Sequence, residues 1–151
     1  MATFLLDTNV LLRSSDANSP LQSVADTSVA QLLSNNHQLF ITSQSIIEFW
    51  VVATRPSNVN GFGWGVERTR TEIEQILNQF PQLQETPQIF SYWLSLVTRY
   101  QLQGKRVHDA RLAAVMLAHN VTHLLTFNPA DFRTINEIAV VDPQSIPEVE
   151  A

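Results

Sequence analysis

The segment Thr3-Phe4-Leu5-Leu6-Asp7-Thr8-Asn9 decides the fold, because a short apolar run ends in a carboxylate. The run from Thr3 to Leu6 is typical of a strand that is buried on both faces of a parallel sheet. A carboxylate directly after such a strand costs several kcal/mol to desolvate unless it is paired or bound to a cation. Asp7 therefore needs a partner, and we favour a divalent metal ion.

Outward from this segment, strands and helices alternate. Further strands are predicted at 39–42, 124–127 and 138–141. Between them, apolar residues at helical spacing predict helices that begin at Thr8 or Asn9, at Ser19-Pro20, at Thr42 or Ser43, at Val66, at Thr86-Pro87 and at Asp109. Because parallel strands need crossover helices, the chain is predicted to be an α/β protein, a three-layer α/β/α sandwich with a mostly parallel central sheet. Residues 1–151 show no repeat or linker and are predicted to form a single domain.

Composition narrows the class of protein. A chain of 151 residues with 44% hydrophobic and 15% charged residues is expected to fold around one core. The lack of cysteine excludes disulfides, thiol catalysis and thiolate zinc sites. No apolar run approaches the ~20 residues that span a bilayer. We therefore expect a cytoplasmic protein with no membrane partner.

The net charge of −5 argues against nucleic-acid binding only if the distribution of charge is ignored. Basic residues near the acidic segments can guide phosphates towards a metal, although they can equally be ordinary solvated charges. These residues are Arg13, Arg55, Lys105, Arg106 and Arg111.

Three further segments place acidic or amide side chains at comparable points. Glu48 lies among apolar residues in a predicted helix, Asp109 begins a helix rich in alanine, and Asn128 follows a predicted strand. Asp131 comes shortly afterwards. A simpler interpretation is that Asp7 and Asp109 are helix N-caps, which free backbone N–H groups and the helix dipole stabilise.

These motifs, in this order, resemble those of the PIN-domain family of metal-dependent ribonucleases, in particular VapC-like toxins. The resemblance spans nearly the whole chain. It implies that Asp7 and Asp109 are the primary Mg²⁺ ligands, with Glu48 close by, and that Asn128 or Asp131 completes the catalytic site. Mn²⁺ is an alternative ion. Substrate contacts are expected from Thr8, Asn9, Thr126 and Arg111.

The resemblance also implies a function and partners. We expect a Mg²⁺-dependent endoribonuclease, the toxin of a type II toxin-antitoxin pair, which cleaves RNA with a metal-activated water. Its expected partners are RNA, a small antitoxin protein and a second copy of itself. One alternative is a non-catalytic RNA-binding or protein-interaction module, which Asn128 in place of an acid supports. Another is a metal-dependent phosphatase with Asp7 as nucleophile, although Asn9 stands where such enzymes carry a second Asp.

A long loop at 56–65 contains three of the four glycines together with Phe62 and Trp64. Loops of this size are often flexible lids or partner contacts, and we expect one of these roles here.

Overall fold

Five short parallel strands form one central sheet in the computed structural model, which describes residues 1–146. The strands are β1 (Thr3–Leu6), β2 (Gln38–Thr42), β3 (Gln82–Leu83), β4 (His123–Leu125) and β5 (Ala139–Val141). Their spatial order is β3-β2-β1-β4-β5.

Helices cover both faces of this sheet. They are α1 (Thr8–Ser14), α2 (Gln22–Ser34), α3 (Ser43–Thr54), α4 (Val66–Gln79), α5 (Pro87–Arg99) and α6 (Arg106–His119). Apolar residues of α1 to α4 pack in one core, and those of α5 and α6 pack in a second core. The predicted three-layer α/β/α sandwich is therefore confirmed. No helix within residues 1–146 combines the length and the apolar character that crossing a bilayer requires.

Alternation of side chains along β1 connects the two cores. Phe4 and Leu6 belong to the core under α1 to α4, whereas Leu5 belongs to the core under α5 and α6. All three side chains are fully buried. An apolar run with no polar position is thus what a strand with helices on both faces requires.

The order of the strands creates a topological switch point beside β1. The chain builds from β1 to β2 and β3 on one side, then returns to place β4 and β5 on the other. At the carboxyl edge, the N–H of Asp7 donates to the carbonyl of Leu125 at 3.0 Å. Crevices at such switch points are where open α/β sheets bind their ligands.

Four local predictions differ from the structure. Helix α2 begins at Gln22, where we predicted a start at Ser19-Pro20, because the Ser19 hydroxyl accepts from the Leu21 N–H in a turn that precedes the helix. The strand β3 was not predicted, because two residues are too few to show any periodicity. Helix α6 begins at Arg106, so Asp109 lies inside its first turn. Helix α1 has Asp7 as its N-cap, where we predicted Thr8 or Asn9.

The loop after α3 is anchored, contrary to the expectation of a flexible lid. The N–H groups of Phe62 and Trp64 donate to the carbonyls of Val52 and Ala53 at 3.1 and 2.9 Å. Both aromatic side chains pack against the core under α1 to α4. The loop therefore closes back onto the end of α3.

Gly61 is the position where this closure depends on glycine. A Cβ there would lie 2.0 Å from the carbonyl oxygen of Arg55, so Gly61→Ala forces the backbone at Gly61 away from that at Arg55. We expect this substitution to lower the unfolding free energy by about 2 kcal/mol or more. Chemical denaturation of the wild type and of the Gly61→Ala variant measures this loss.

Gly65→Ala is the matched control, because a Cβ at Gly65 meets no atom within 4 Å. It should change the unfolding free energy by less than about 1 kcal/mol. Equal losses in the two variants would contradict the packing described for Gly61.

Candidate active site

Asp7 lies at the centre of the carboxyl edge, between β1 and α1. Its side chain is only 7% exposed. The Oδ1 atom accepts a hydrogen bond from the Thr8 N–H at 2.7 Å, and Oδ2 accepts one from the Thr126 hydroxyl at 2.8 Å. The first of these contacts is an N-cap, so the simpler interpretation of Asp7 describes part of its role.

Thr126 joins the ends of β1 and β4. Its Oγ1 accepts hydrogen bonds from the Asn9 side-chain amide at 3.1 Å and from the Asn128 N–H at 3.0 Å, while its own proton goes to Asp7. The carbonyl oxygen of the Asn9 side chain in turn accepts from the Phe127 N–H at 3.1 Å. The Thr126 hydroxyl is therefore saturated, and it can only donate to residue 7.

Glu48 reaches the same edge from α3. Its Oε2 accepts a hydrogen bond from the Thr8 hydroxyl at 2.8 Å, and its Oε1 accepts one from the Gln44 amide at 3.2 Å. The same amide donates to the carbonyl of His108 in α6 at 3.0 Å. Gln44 thus holds Glu48 and links two helices from opposite faces of the sheet.

The sequence prediction did not include Gln44. The available signal was its spacing, since residues four apart on a helix lie on one face and a Gln can then reach a Glu. The second partner, a backbone carbonyl of α6, depends on the tertiary fold and leaves no trace in the local sequence.

Asp109 and Asp131 complete the acidic edge. Asp109 is partly buried in the first turn of α6, and its N-cap is Lys105, so a capping role does not explain Asp109. Burial raises the pKa of Asp109, and the charges of Asp131 and Glu48 raise it further, whereas Arg106 and Lys105 oppose the rise. Asp131 lies in a 3₁₀ turn at Pro129–Asp131 after β4.

The pKa of Asp7 shows how burial and the neighbouring acids act on its carboxylate. Burial raises the pKa of Asp7 to about 6, and the charges of Glu48 and Asp109 add to the rise, although the hydrogen bonds from Thr126 and Thr8 act against it. The carboxylates therefore destabilise one another in their ionised forms. A bound cation would reverse this effect.

The chemistry of the donors fits Mg²⁺ or Mn²⁺, which prefer carboxylate oxygens and retain several waters. Within residues 1–146, however, no three Asp, Glu or His side chains are grouped tightly enough to form a ready-made metal site. Both oxygens of Glu48 and of Asp7 are held by hydrogen bonds. Ion binding would accordingly draw these side chains towards one another.

The remaining predicted residues occupy the rim. Arg111 donates to Glu85 at 2.7 Å and to the Gln44 side-chain oxygen at 3.2 Å, so its guanidinium is already paired. Asn128 is exposed and contacts the network described above through its backbone N–H. Of the predicted basic residues, Lys105 and Arg106 act on the site directly, through the charge of Asp109.

Comparison with known proteins assigns the chain to a family. The PIN domain family model matches residues 4–138, and the chain belongs to this family. No curated protein sequence matches the chain significantly.

Several solved structures share the fold. VapBC2 of Rickettsia felis, bound to a DNA fragment from its promoter, matches with a TM-score of 0.70 and 17% identity over 93% of this chain and 98% of that one. DNA-bound VapBC of Salmonella typhimurium matches with a TM-score of 0.69 and 17% identity over 95% of this chain and 99% of that one. VapC20 of Mycobacterium tuberculosis, a toxin that cleaves the sarcin-ricin loop, matches with a TM-score of 0.56 and 14% identity over 80% of this chain and 86% of that one.

The buried Asp7 predicts how stability depends on pH. The pKa of Asp7 is about 6 in the folded protein, against an ordinary value of 3.8. Its ionisation therefore lowers the unfolding free energy by nothing below about pH 4 and by about 3 kcal/mol above about pH 6. In chelator, the wild type should lose unfolding free energy across this range relative to Asp7→Asn. Urea denaturation of both proteins at a series of pH values measures the difference.

An asparagine at position 7 also turns an N–H₂ group towards the saturated Thr126 hydroxyl or the Thr8 N–H, which lowers stability by a constant amount at every pH. The ionisation of Asp7 is therefore reported by how the difference in unfolding free energy between the two proteins changes with pH. A difference that stays constant from pH 4 to pH 7 would show that Asp7 ionises as readily in the folded protein as in the unfolded one.

Proposed function

We propose that this chain is a Mg²⁺-dependent endoribonuclease and the toxin of a type II toxin-antitoxin pair. The observation that carries the proposal is the electrostatic coupling of the acids at this edge: the charges of Glu48 and Asp109 raise the pKa of Asp7, and those of Asp131 and Glu48 raise the pKa of Asp109. Membership of the PIN domain family supports it, as does the cleaving activity stated for the similar Mycobacterium tuberculosis toxin.

In this proposal Asp7 and Asp109 hold the ion, with Glu48 beside them. When bound, Mg²⁺ lowers the pKa of a water and offsets negative charge on the phosphodiester. The Thr126 hydroxyl and the Thr8 N–H fix the orientation of the Asp7 carboxylate, so its remaining lone pairs have a defined direction. Lys105 and Arg106, at the start of α6, attract the phosphate backbone towards an otherwise acidic edge.

The phosphatase alternative is less compatible with these contacts. Both Asp7 oxygens accept hydrogen bonds and the side chain is 7% exposed, which restricts the approach of a phosphoryl group. Asn9 uses both ends of its amide to hold Thr126 and Phe127, so it supplies no acid two residues after Asp7.

Similarity to VapBC structures supports an antitoxin as a partner. A groove of about 350 Å³ lies between α1, α2 and α4, and its lining combines Leu11 and Ile76 with the acidic Asp26 and Glu72. This chemistry suits an antitoxin segment with apolar and basic side chains. We further propose a homodimer in the cytoplasm, which the exposed apolar Ile47 and Val51 on α3 support.

Neutralising the proposed metal ligands should remove activity without unfolding the chain. We expect Asp109→Asn and Asp7→Asn each to lower the rate of Mg²⁺-dependent RNA cleavage by about 100-fold or more, the scale on which charge stabilisation contributes to catalysis. Gel analysis of RNA with and without chelator measures cleavage, and circular dichroism verifies folding.

The control is Asp26→Asn, because Asp26 hydrogen bonds to Ser14 and has no part in raising the pKa of either ligand. It should cleave at the wild-type rate. Cleavage by folded Asp109→Asn at the wild-type rate would exclude the proposed centre, and RNA binding without any cleavage would favour the non-catalytic module.

Asp131, and not Asn128, is expected to complete the site. Asp131 is the largest source of repulsion on Asp109 after burial, whereas Asn128 contributes a backbone contact. Asp131→Asn should therefore weaken Mn²⁺ binding, measured by titration calorimetry, by about tenfold, as for outer-shell groups of metal sites. Asn128→Ala is the matched variant and should bind Mn²⁺ nearly as tightly as the wild type. The reverse order of affinities would assign the position to Asn128.

A further inference from the structure

A cavity of about 380 Å³ lies beside the acidic edge and has no role in the reaction proposed above. It is lined by the start of α5, with Thr86, Phe90 and Trp93, and by the start of α6, with His108 and Arg111. Its volume falls in the range of sites that bind small organic groups.

One wall of the cavity is aromatic. The ring centroids of Phe90 and Trp93 are 5.7 Å apart with an interplanar angle of 35°. The indole N–H of Trp93 donates to the carbonyl of Val107 at 2.7 Å, which fixes that ring, whereas Phe90 is 65% exposed. An exposed phenylalanine beside an anchored tryptophan presents a flat apolar surface on which a planar ring can stack.

One of the residues that line the cavity carries a buried polar group without a partner. The Thr86 hydroxyl is the one side-chain polar atom that is buried and makes no hydrogen bond in the part of the chain that the structure describes. Thr86 is the N-cap of α5, yet its side chain makes no capping contact. Leaving a buried hydroxyl unpaired is unfavourable, so turning the Thr86 side chain towards a ligand that brings a donor or an acceptor would be favourable.

The cavity adjoins the candidate active site. A neighbouring cavity of about 270 Å³ is lined by Gln44 and Glu48, and it shares Glu85, His108 and Arg111 with the aromatic one. A ligand whose planar part occupies the aromatic cavity therefore needs to pass only the Glu85–Arg111 ion pair to reach the cavity beside Glu48. The ligand needs a flat, apolar ring with polar edges, attached to a group that a metal centre attracts.

A nucleotide has this combination. We propose that the cavity receives the base of the nucleotide next to the cleaved phosphate, with the base stacked on Phe90 and hydrogen-bonded by Thr86. The proposal rests on the nuclease function and assigns the position of one base of its substrate, which must be unpaired to enter the cavity. A base within a duplex is already stacked and paired, so only a single strand can offer its face and edge to the cavity.

The test measures affinity for a fluorescent single-stranded RNA hexanucleotide of mixed sequence, in Mg²⁺, with Asp109→Asn present in every protein to prevent cleavage. Adding Phe90→Ala should weaken binding about tenfold through loss of stacking, and Phe90→Trp should restore it. Thr86→Val should weaken binding about fivefold while raising the midpoint of thermal unfolding, because it removes the unpaired hydroxyl.

Leu94→Ala is the matched control. Leu94 is an exposed apolar residue on the same helix, and it does not line the aromatic cavity. It should leave the affinity unchanged, and a blunt duplex of the same sequence should bind more weakly than the single strand.

Equal affinities for the parent, Phe90→Ala and Thr86→Val proteins would overturn the proposal, as would equal weakening by Leu94→Ala. Dissociation of a dimer by Phe90→Ala, with the affinity for RNA unchanged, would assign this face to a second copy of the chain and would also overturn it. The expected order of affinities with no cleavage by the wild type would support the base site and reject the nuclease. Normal cleavage by the wild type, with no effect of these substitutions on RNA affinity, would support the nuclease and reject the base site.

Discussion

The hydrogen bond from the Thr126 hydroxyl to the Asp7 carboxylate is the interaction on which this edge of the molecule depends. It connects the ends of the two strands between which the topology reverses. Because the Thr126 oxygen also accepts from Asn9 and from the Asn128 N–H, the polarity of the whole network is fixed. Residue 7 must accept hydrogen bonds, and a carboxylate meets this requirement on both oxygens.

Burial and charge act against each other at this point. The core that makes the sheet stable also removes water from Asp7, and the neighbouring acids increase the cost of its ionisation. An uncharged side chain at this position would avoid the cost of ionisation, but it would not supply acceptors for both the Thr8 N–H and the Thr126 hydroxyl. Retaining several acids at one edge is understandable if a cation offsets the repulsion between them.

Much of the fold followed from local patterns, whereas the site followed only in part. The strand before Asp7 and the helix around Glu48 were visible because burial on both faces and helical spacing leave clear signals in sequence. The strand at Gln82–Leu83 left none, because its two residues pair only once β2 is in place. Gln44 and the cavity at Phe90 likewise depend on contacts between α3, α5 and α6, which no single segment encodes.

The first turn of α6 holds both halves of the cleft. The carbonyl of Val107 anchors the Trp93 ring, the next carbonyl, of His108, anchors Gln44 and through it Glu48, and the residue after that is Asp109. The proposed base site and the proposed metal site are thus built on consecutive peptide units. A substitution that shifts this turn would disturb both, so a change in what the cavity accepts is expected to come from the outer side of the aromatic wall, where Phe90 is exposed.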